Sequence, residues 1–272
     1  MKKAYFAIFC ECFPSMEMTY ERFCELLDKD NCIFFERKES DEIVSFAIIE
    51  DCAVRLLCVT PSMQKHGIGS KMLSEIEEYV RSKGYDQLLT GGVSSRLFIG
   101  APSESWNFWA KNGFSAEDGC DEMLLKLEDF HMEGLPLHGS DIAEYGWYDG
   151  DIETLKSAVA SVNDNWPQYY TESSKIYVGK VNDEIASFCL VDTNCQNYLT
   201  DKYGKVGMPG CVGSVPKFRN KGIALEMIAR VTRYLKEQGM DISFIYYTGV
   251  PEWYKKIGYR TFLSERFGVK KL

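Results

Sequence analysis

The chain contains one nine-residue motif twice, as Pro61-Ser62-Met63-Gln64-Lys65-His66-Gly67-Ile68-Gly69 and as Pro216-Lys217-Phe218-Arg219-Asn220-Lys221-Gly222-Ile223-Ala224. Both copies run from a proline to a Gly-Ile-small triplet, at an offset of 155 residues (216 − 61). Repetition at a fixed offset indicates that one structural unit occurs twice. The sequence therefore predicts a tandem duplication.

The same offset continues through the residues that follow each motif. Apolar or small residues recur at i, i+4, i+7 and i+11 in both copies: Gly69, Leu73, Ile76 and Val80, then Ala224, Ile228, Val231 and Leu235. This spacing is typical of one face of an amphipathic helix of three to four turns. Each helix is predicted to end at a glycine, Gly84 or Gly239, in the left-handed conformation.

A second pair of matched blocks lies further along each half. Residues 98–102 match 247–251, and residues 108–114 match 253–259, with four extra residues around position 104 in the first copy. Strand-like runs precede each motif at 32–36, 43–49 and 53–59, and again at 175–179, 185–191 and 206–215. The turns at 38–41 and 181–184 predict hairpins.

These patterns predict an α+β fold with two tandem domains, each a mixed, mostly antiparallel twisted sheet flanked by helices. We place the domains at 1–130 and 131–272, with the junction at 128–136. We expect the first domain to lack an opening strand, because its apolar pattern becomes helical almost at once.

Composition narrows the functional classes. The 272 residues are 45% hydrophobic and 26% charged, which is ordinary for a globular protein, and the net charge is −9. Such a charge disfavours nucleic acid as a partner. The sequence has no apolar run as long as the ~20 residues that span a bilayer, and near its start it has no small-residue cleavage site of a signal peptide. We therefore expect a cytoplasmic protein without membrane association. Its ten cysteines and three histidines show no metal-ligand spacing, which predicts reduced thiols and no metal.

Each motif predicts an anion site, because a glycine-containing loop that opens a helix presents unpaired backbone N–H groups to a ligand. Lys65 in the first copy, and Arg219 and Lys221 in the second, would add positive charge. The loop is not a P-loop, since G-x-x-x-x-G-K-[ST] is absent, and it is not a dinucleotide fingerprint, since position 72 is Met.

The two motifs resemble the glycine loop of the GNAT family of N-acetyltransferases, which has the form Q/R-x-x-G-x-G/A. The sequence has Gln64-x-x-Gly67-x-Gly69 and Arg219-x-x-Gly222-x-Ala224. Tyr254-Lys255-Lys256-Ile257-Gly258-Tyr259 resembles the later family block Y-x-x-x-G-F/Y. The resemblance covers most of both halves, and the tandem layout is similar to that of mycothiol synthase.

The resemblance implies that acetyl-CoA is the co-substrate, with its diphosphate on the loop and its pantetheine arm along the preceding strand. The residues implied for the main site are Gly213, Ser214, Val215, Arg219, Asn220, Lys221, Gly222, Ile223 and Ala224. Those implied for a second candidate site are Cys58, Val59, Thr60, Gln64, Lys65, His66, Gly67, Ile68, Gly69 and Ser70.

The resemblance also implies that Tyr254 is the general acid that protonates the departing thiolate. Trp109 holds the corresponding place in the first half, and its indole N–H is no acid. We therefore expect catalysis in the second half and a degenerate first half that can still bind CoA. Asp192, Glu252 or a relayed water are candidates for the base.

The predicted reaction is direct attack of a primary amine, on a small molecule or a peptide, at the thioester. The acidic balance favours cationic acceptors such as a polyamine, an aminoglycoside or a lysine-bearing peptide. Three alternatives remain open at the level of sequence: a non-catalytic module that senses acyl-CoA, an acyltransferase for another acyl-CoA, and an unrelated nucleotide-binding protein.

Overall fold

The computed structural model describes residues 2–16, 18–27, 32–91, 98–195 and 200–272. Two compact units form: unit 1 has Met1–Cys120, Asn197–Lys202 and Leu263–Leu272, and unit 2 has Asp121–Gln196 and Tyr203–Phe262. This division differs from the contiguous domains 1–130 and 131–272. The physical reason is strand pairing, since the last strand of the chain pairs within unit 1 and residues from Asp121 onward pair within unit 2.

Unit 1 begins with two helices and continues into a mixed sheet. Its elements are α1 Lys2–Cys12, α2 Tyr20–Leu27, β1 Cys32–Glu39, β2 Glu42–Glu50, β3 Ala53–Val59, α3 Ile68–Ser82, β4 Gln87–Thr90, β5 Ala101–Pro102, α4 Trp106–Lys111 and the start of β6 Ser115–Lys126. The main strand order is β1-β2-β3-β4 followed by the C-terminal strand, and only β3 and β4 run parallel.

Unit 2 repeats this arrangement with an additional first strand. Its part of the chain holds the end of β6, then β7 Glu144–Trp147, α5 Ile152–Ala160, β8 Ile176–Val181, β9 Glu184–Asp192, β10 Val206–Ser214, α7 Ile223–Glu237, β11 Ile242–Thr248, α8 Pro251–Lys255 and the start of β12 Arg260–Lys271. The short helix α6 Thr200–Tyr203 follows β9 in the sequence, and its residues up to Lys202 belong to unit 1. The order is β6-β11-β10-β9-β8-β7, with only β10 and β11 parallel. The predicted α+β class is confirmed.

The two repeat helices have equal length, and glycine ends each of them. Both α3 and α7 have 15 residues. Gly84 and Gly239 follow their ends with φ of 88° and 74°, the left-handed conformation that the sequence predicted. The apolar stripe of each helix is buried except at Ala224, which is half-buried, and this burial explains the periodicity of the sequence.

Helices pack on both faces of the unit 1 sheet. On one face, which we call the α1 face, Tyr5 of α1 stacks on Phe34 and Phe46. On the opposite face, the α3 face, Ala47 and Ile49 join the core formed with α3. Successive β2 residues therefore point to opposite faces, as pleating requires.

Each unit completes its sheet with a strand from the other half of the sequence. In unit 1, Val269 and Lys270 of β12 pair antiparallel with Leu89 and Leu88 of β4. In unit 2, residues 123–126 of β6 pair antiparallel with residues 242–245 of β11. Neither half of the sequence therefore contains all the strands of one sheet. Among the described helices, none has the length and apolar character needed to cross a bilayer.

We expect a fragment that starts near His138 to be poorly soluble, because it lacks the β6 residues and leaves the β11 edge unpaired. A longer fragment, 121–272, keeps that strand and is the matched control. Expression and circular dichroism of both fragments test this. A well-folded, fully active fragment from His138 would contradict the role of the exchanged strand.

Candidate functional site

Among the described residues, the two parallel strands of each unit pair at two positions. β3 meets β4 at Ala53–Leu89 and Val54–Thr90, and β10 meets β11 at Val206–Ile242 and Gly207–Ser243. Beyond these positions β3 continues to Val59 and β10 to Ser214. Register shifts in the adjacent ladders mark β-bulges at this level, at Arg55 and between Gly210 and Gly213. Bulges bend a strand, so each sheet opens beside its glycine loop.

The two glycine loops share one backbone conformation. Each follows its strand with a 3-10 turn, Pro61–Met63 or Pro216–Phe218. Lys65 and Asn220 then have φ of 64° and 62°, and Gly67 and Gly222 have φ of 81° and 76° before the helix begins. Left-handed residues alternating with ordinary ones turn successive N–H groups toward one concave site. Both loops therefore have the geometry of an anion-binding helix N-terminus.

The fourth residue of each motif, Gln64 or Arg219, connects its loop to the preceding strand by a hydrogen bond. Gln64 donates from Nε2 to the Val59 carbonyl at 3.0 Å, and Arg219 donates from Nε to the Ser214 carbonyl at 3.1 Å. These bonds are again 155 residues apart (219 − 64). The two residues thus have the same structural role, and the Arg219 Nε that we expected at the diphosphate is bonded to the strand.

A cavity of about 680 Å³ opens in unit 1 between β3 and β4. It runs from the bulge to the glycine loop, and Phe108 and Trp109 of α4 line one side. Its volume lies within the range of small-molecule sites. Most residues of the second candidate site line it: Val59, Gln64, Lys65, Gly67, Ile68, Gly69 and Ser70. Cys58 is buried, Thr60 bonds to Val44 on β2, and His66 is exposed outside the lining.

Trp109 forms part of the cavity wall. Its indole N–H donates to Ser105 Oγ at 3.1 Å, and Ser105 donates to the Pro102 carbonyl at 2.7 Å. Its ring packs edge-on against Phe108 and Phe114. The residue that replaces the tyrosine of the second half is thus fixed by packing and by a hydrogen bond.

In unit 2, side chains pack closely around the residues expected to bind CoA. Gly213 lies against the Phe188 ring, which a Cβ would approach to 2.2 Å. Ile223 is buried, and its carbonyl accepts a hydrogen bond from Tyr145 Oη at 3.0 Å. The polar part of the loop remains accessible at Arg219, Asn220, Lys221 and Gly222, while Ser214, Val215 and Ala224 are half-buried.

Tyr254 lies on α8 in the core of unit 2. Its ring contacts Trp253 and Tyr259 edge-on, with centroids 4.7 and 5.7 Å away, and only 5% of the residue is exposed. Burial raises the pKa of the phenol well above its ordinary value, and Tyr259 and nearby thiols raise it further. The phenol is therefore protonated at neutral pH, a condition that a general acid must meet.

The two carboxylates considered as bases have local partners. Asp192 Oδ1 accepts the Asn194 backbone N–H at 2.7 Å, and the exposed Glu252 pairs with Lys255 at 2.5 Å. All ten cysteines are free thiols. In the part of the chain that the structure describes, no cluster of His, Cys, Asp and Glu has the arrangement of a metal site.

Sequence reasoning missed a buried carboxyl group beside the cavity. Glu265 Oε1, on the C-terminal strand, accepts the backbone N–H groups of Ile99 at 3.0 Å and Gly100 at 3.2 Å. Gly100 lines the cavity. Burial raises the pKa of Glu265 from 4.5 to about 7, against the effect of these hydrogen bonds. No local pattern links Glu265 to residues more than 160 positions earlier, so only the fold reveals the contact.

Glu265→Gln should remove a pH-dependent loss of stability. Because the pKa of Glu265 is higher in the folded than in the unfolded chain, the unfolded chain loses this proton at a lower pH. Between pH 4.5 and 7 the free energy of unfolding of the wild type therefore falls, by up to about 3 kcal/mol. The Gln amide oxygen can still accept both N–H bonds. Denaturant unfolding of both proteins at several pH values measures the difference, which should grow across this window and then level off. Parallel profiles would contradict the assignment.

Comparison with known proteins agrees with this architecture. Residues 2–114 match the "Acetyltransferase (GNAT) family" and residues 144–262 match an "Acetyltransferase (GNAT) domain". No curated protein matched the chain. A GCN5-related glucosamine N-acetyltransferase region of a fungal multi-domain GH3 β-N-acetylglucosaminidase has a similar structure, with a TM-score of 0.74 and 19% identity over 98% of this chain. The match spans only 36% of the fungal protein.

Two further structures match nearly whole chains. A GCN5-related N-acetyltransferase from Sphaerobacter thermophilus has a TM-score of 0.69 and 15% identity, over 98% of this chain and 91% of that one. A tandem GNAT protein from the clavulanic acid biosynthesis pathway has a TM-score of 0.59 and 12% identity, over 99% and 94%. Identities this low show the fold alone. Together with the two sequence matches, they identify the chain as a member of the GNAT family with two GNAT domains in tandem.

Proposed function

We propose that this protein is an acetyl-CoA-dependent N-acetyltransferase that acetylates a primary amine of a small molecule or peptide, and that acetyl-CoA binds in the unit 1 cavity. The observation that carries the proposal is the continuity of the cavity with the glycine loop. One end offers backbone N–H groups at a helix N-terminus, which suits a diphosphate. The other end lies between two separated strands, which suits an extended arm.

The exposed edge of β3 supports this placement. Thr60 donates its backbone N–H to Val44 of β2, so by alternation the polar backbone groups of Val59 and Leu57 face the opening. The Val59 carbonyl there accepts hydrogen bonds from Gln64 Nε2 and the Cys12 thiol. The amide groups of a pantetheine arm would take the place of the Cys12 thiol and pair with this edge as an added strand.

The chemistry requires one bond to form and one to break. The neutral amine attacks the thioester carbon, forming a C–N bond, and the C–S bond then breaks to release CoA thiolate. The amine loses a proton to water or to a carboxylate, and the thiolate gains one. Backbone N–H groups at the bulge are suited to stabilise the developing oxyanion.

Unit 2 is the second candidate for the catalytic site, because it has a phenol at Tyr254 where unit 1 has the indole of Trp109. Tyr254 is protonated and buried, and the Cys211 thiol of the β10 bulge is among the groups that raise its pKa. We keep Tyr254 as the general acid proposed for that site. A sensing module would bind acetyl-CoA in unit 1 without ever releasing thiol, and turnover assays separate the two.

Gly67→Asp should weaken acetyl-CoA binding at least tenfold, because it places a carboxylate beside the diphosphate. In the part of the chain that the structure describes, no atom outside its chain neighbours lies within 4 Å of a Cβ at this position, so the side chain has room. Calorimetry measures the affinity. Gly67→Asn is the matched control, since Asn has the same shape, tolerates the left-handed backbone and carries no charge.

Gly222→Asp and Gly222→Asn form the parallel pair in unit 2, where the backbone conformation is the same. We expect them to change the affinity less than twofold. A large loss with Gly222→Asp, together with unchanged binding by Gly67→Asp, would place the co-substrate on the second loop, as the sequence alone suggested.

Tyr254→Phe tests the general acid. If unit 2 is catalytic, the change should slow single-turnover transfer about a hundredfold with little effect on acetyl-CoA affinity, because the proton matters only as the C–S bond breaks. Trp109→Phe is the matched change in unit 1. An unchanged rate with Tyr254→Phe would exclude Tyr254 as the acid.

A further inference from the structure

The wall of the unit 1 cavity contains a buried cation, Arg55. It is the extra residue of the β3 bulge, and its side chain is only 5% exposed. Nη1 pairs with Glu50 Oε2 at 2.6 Å and lies 3.5 Å from Cys32 Sγ. Arg55 is too far from the glycine loop to bind the same anion. It lies four residues before Val59, and at about 3.3 Å per residue this is roughly 13 Å from the end of the strand that leads into the loop.

These contacts place the Arg55 guanidinium on the α1 face of the sheet. Cys32 pairs with Glu50 across β1 and β2, and alternation puts them on the same face as Phe34 and Phe46, on which Tyr5 stacks. Cys12 at the end of α1 and Phe13 also line the cavity. The α3 face at this level is filled by the apolar core that includes Val54, Met72 and Trp109.

This placement separates the two substrates of the proposed reaction. An acyl-CoA anchored at the loop and extended along β3 brings its thioester toward the bulge, where β3 and β4 meet. The core fills the α3 face, whereas Cys12 and Phe13 line the cavity on the α1 side, so we place the approach of the amine on the α1 face. Arg55 lies on that face and at that level, next to the attacking molecule.

A guanidinium at such a position favours an anion. Its planar fork matches a carboxylate in two parallel hydrogen bonds. Among the described residues, both of its contacts go through Nη1, so Nε and Nη2 are the donors that a ligand would meet. Because Glu50 already balances the charge of Arg55, a carboxylate would be recognised here through the direction of these two donors rather than through a net positive charge.

We propose that Arg55 binds a carboxylate of the acceptor, so that the substrate is an amine that carries a carboxylate, as amino acids do. This inference rests on the proposed function and on unit 1 as its site. It differs from the expectation of a cationic acceptor based on the overall charge, because directed donors act at short range whereas distant surface charge is screened.

The test compares L-amino acids with their amides, which differ only in the carboxylate, and includes spermine as a polyamine. Thiol release from acetyl-CoA gives kcat/KM for each acceptor. In the wild type we expect at least a tenfold preference for the acids over the matching amides. Arg55→Met should remove this preference and leave the acetyl-CoA affinity, measured by calorimetry, within twofold.

Two further variants keep the result interpretable. Arg55→Lys retains the positive charge but lacks the planar guanidinium, so it should keep part of the preference for acids. If Arg55→Met does not fold, this partial loss tests the carboxylate site instead. Glu50→Gln frees the guanidinium and should strengthen the preference for acids. Thermal unfolding of each variant reports on folding.

Two outcomes overturn different claims. A wild type that turns over amides or spermine at least as well as acids, or an undiminished preference in folded Arg55→Met, overturns the carboxylate site alone. Absence of acetyl-CoA binding by the wild type overturns the proposed function itself, before any acceptor is compared.

Discussion

The shortness of one parallel strand pair underlies the functional architecture of each unit. β3 and β4 pair at two positions, as do β10 and β11, and bulges at the same level turn the longer strand away. A continuous ladder would satisfy the backbone groups of Val59 and close the sheet. Within residues 32–91 of unit 1 the ladder has no further pair, so the backbone groups of Leu57 and Val59 face an opening next to a helix N-terminus. This edge of β3 borders a cavity, and the proposed co-substrate would complete the interrupted pairing.

The exchange of strands ties this opening to the far end of the chain. β12 borders β4 in unit 1, and its Glu265 holds the backbone N–H groups of Ile99 and Gly100 at the cavity. Burying a carboxylate costs free energy. The raised pKa of Glu265 indicates that its hydrogen bonds offset only part of that cost. The cavity wall therefore depends on a residue 166 positions later in the sequence than Ile99, which explains why neither half of the sequence is expected to suffice alone.

Local patterns predicted much of the fold. The apolar stripes of α3 and α7, the hairpins and the glycines that end both helices depend on residues within a few turns of each other, and the structure confirms them. The loops were also recognisable, because their conformation is set by a short motif. Sequence could not reveal the exchange of β6 and β12, since such pairing depends on contacts between distant segments.

The choice between the two loops also exceeded what the sequence could decide. Arg219 favoured the second loop as an added charge, but its Nε bonds to Ser214 just as Gln64 bonds to Val59. Phe188 packs on Gly213 across the sheet, and Arg55 became visible as a cavity residue only once β3 was seen to bulge. Each of these facts concerns packing between strands, which residue types alone do not specify.

The most direct test of the account is a crystal structure of the full chain with acetyl-CoA. The account predicts electron density in unit 1, with the diphosphate on the backbone N–H groups around Gly67, the arm along β3 and the thioester near Arg55. Density confined to the loop at Gly222, or its absence at saturating acetyl-CoA, would contradict it.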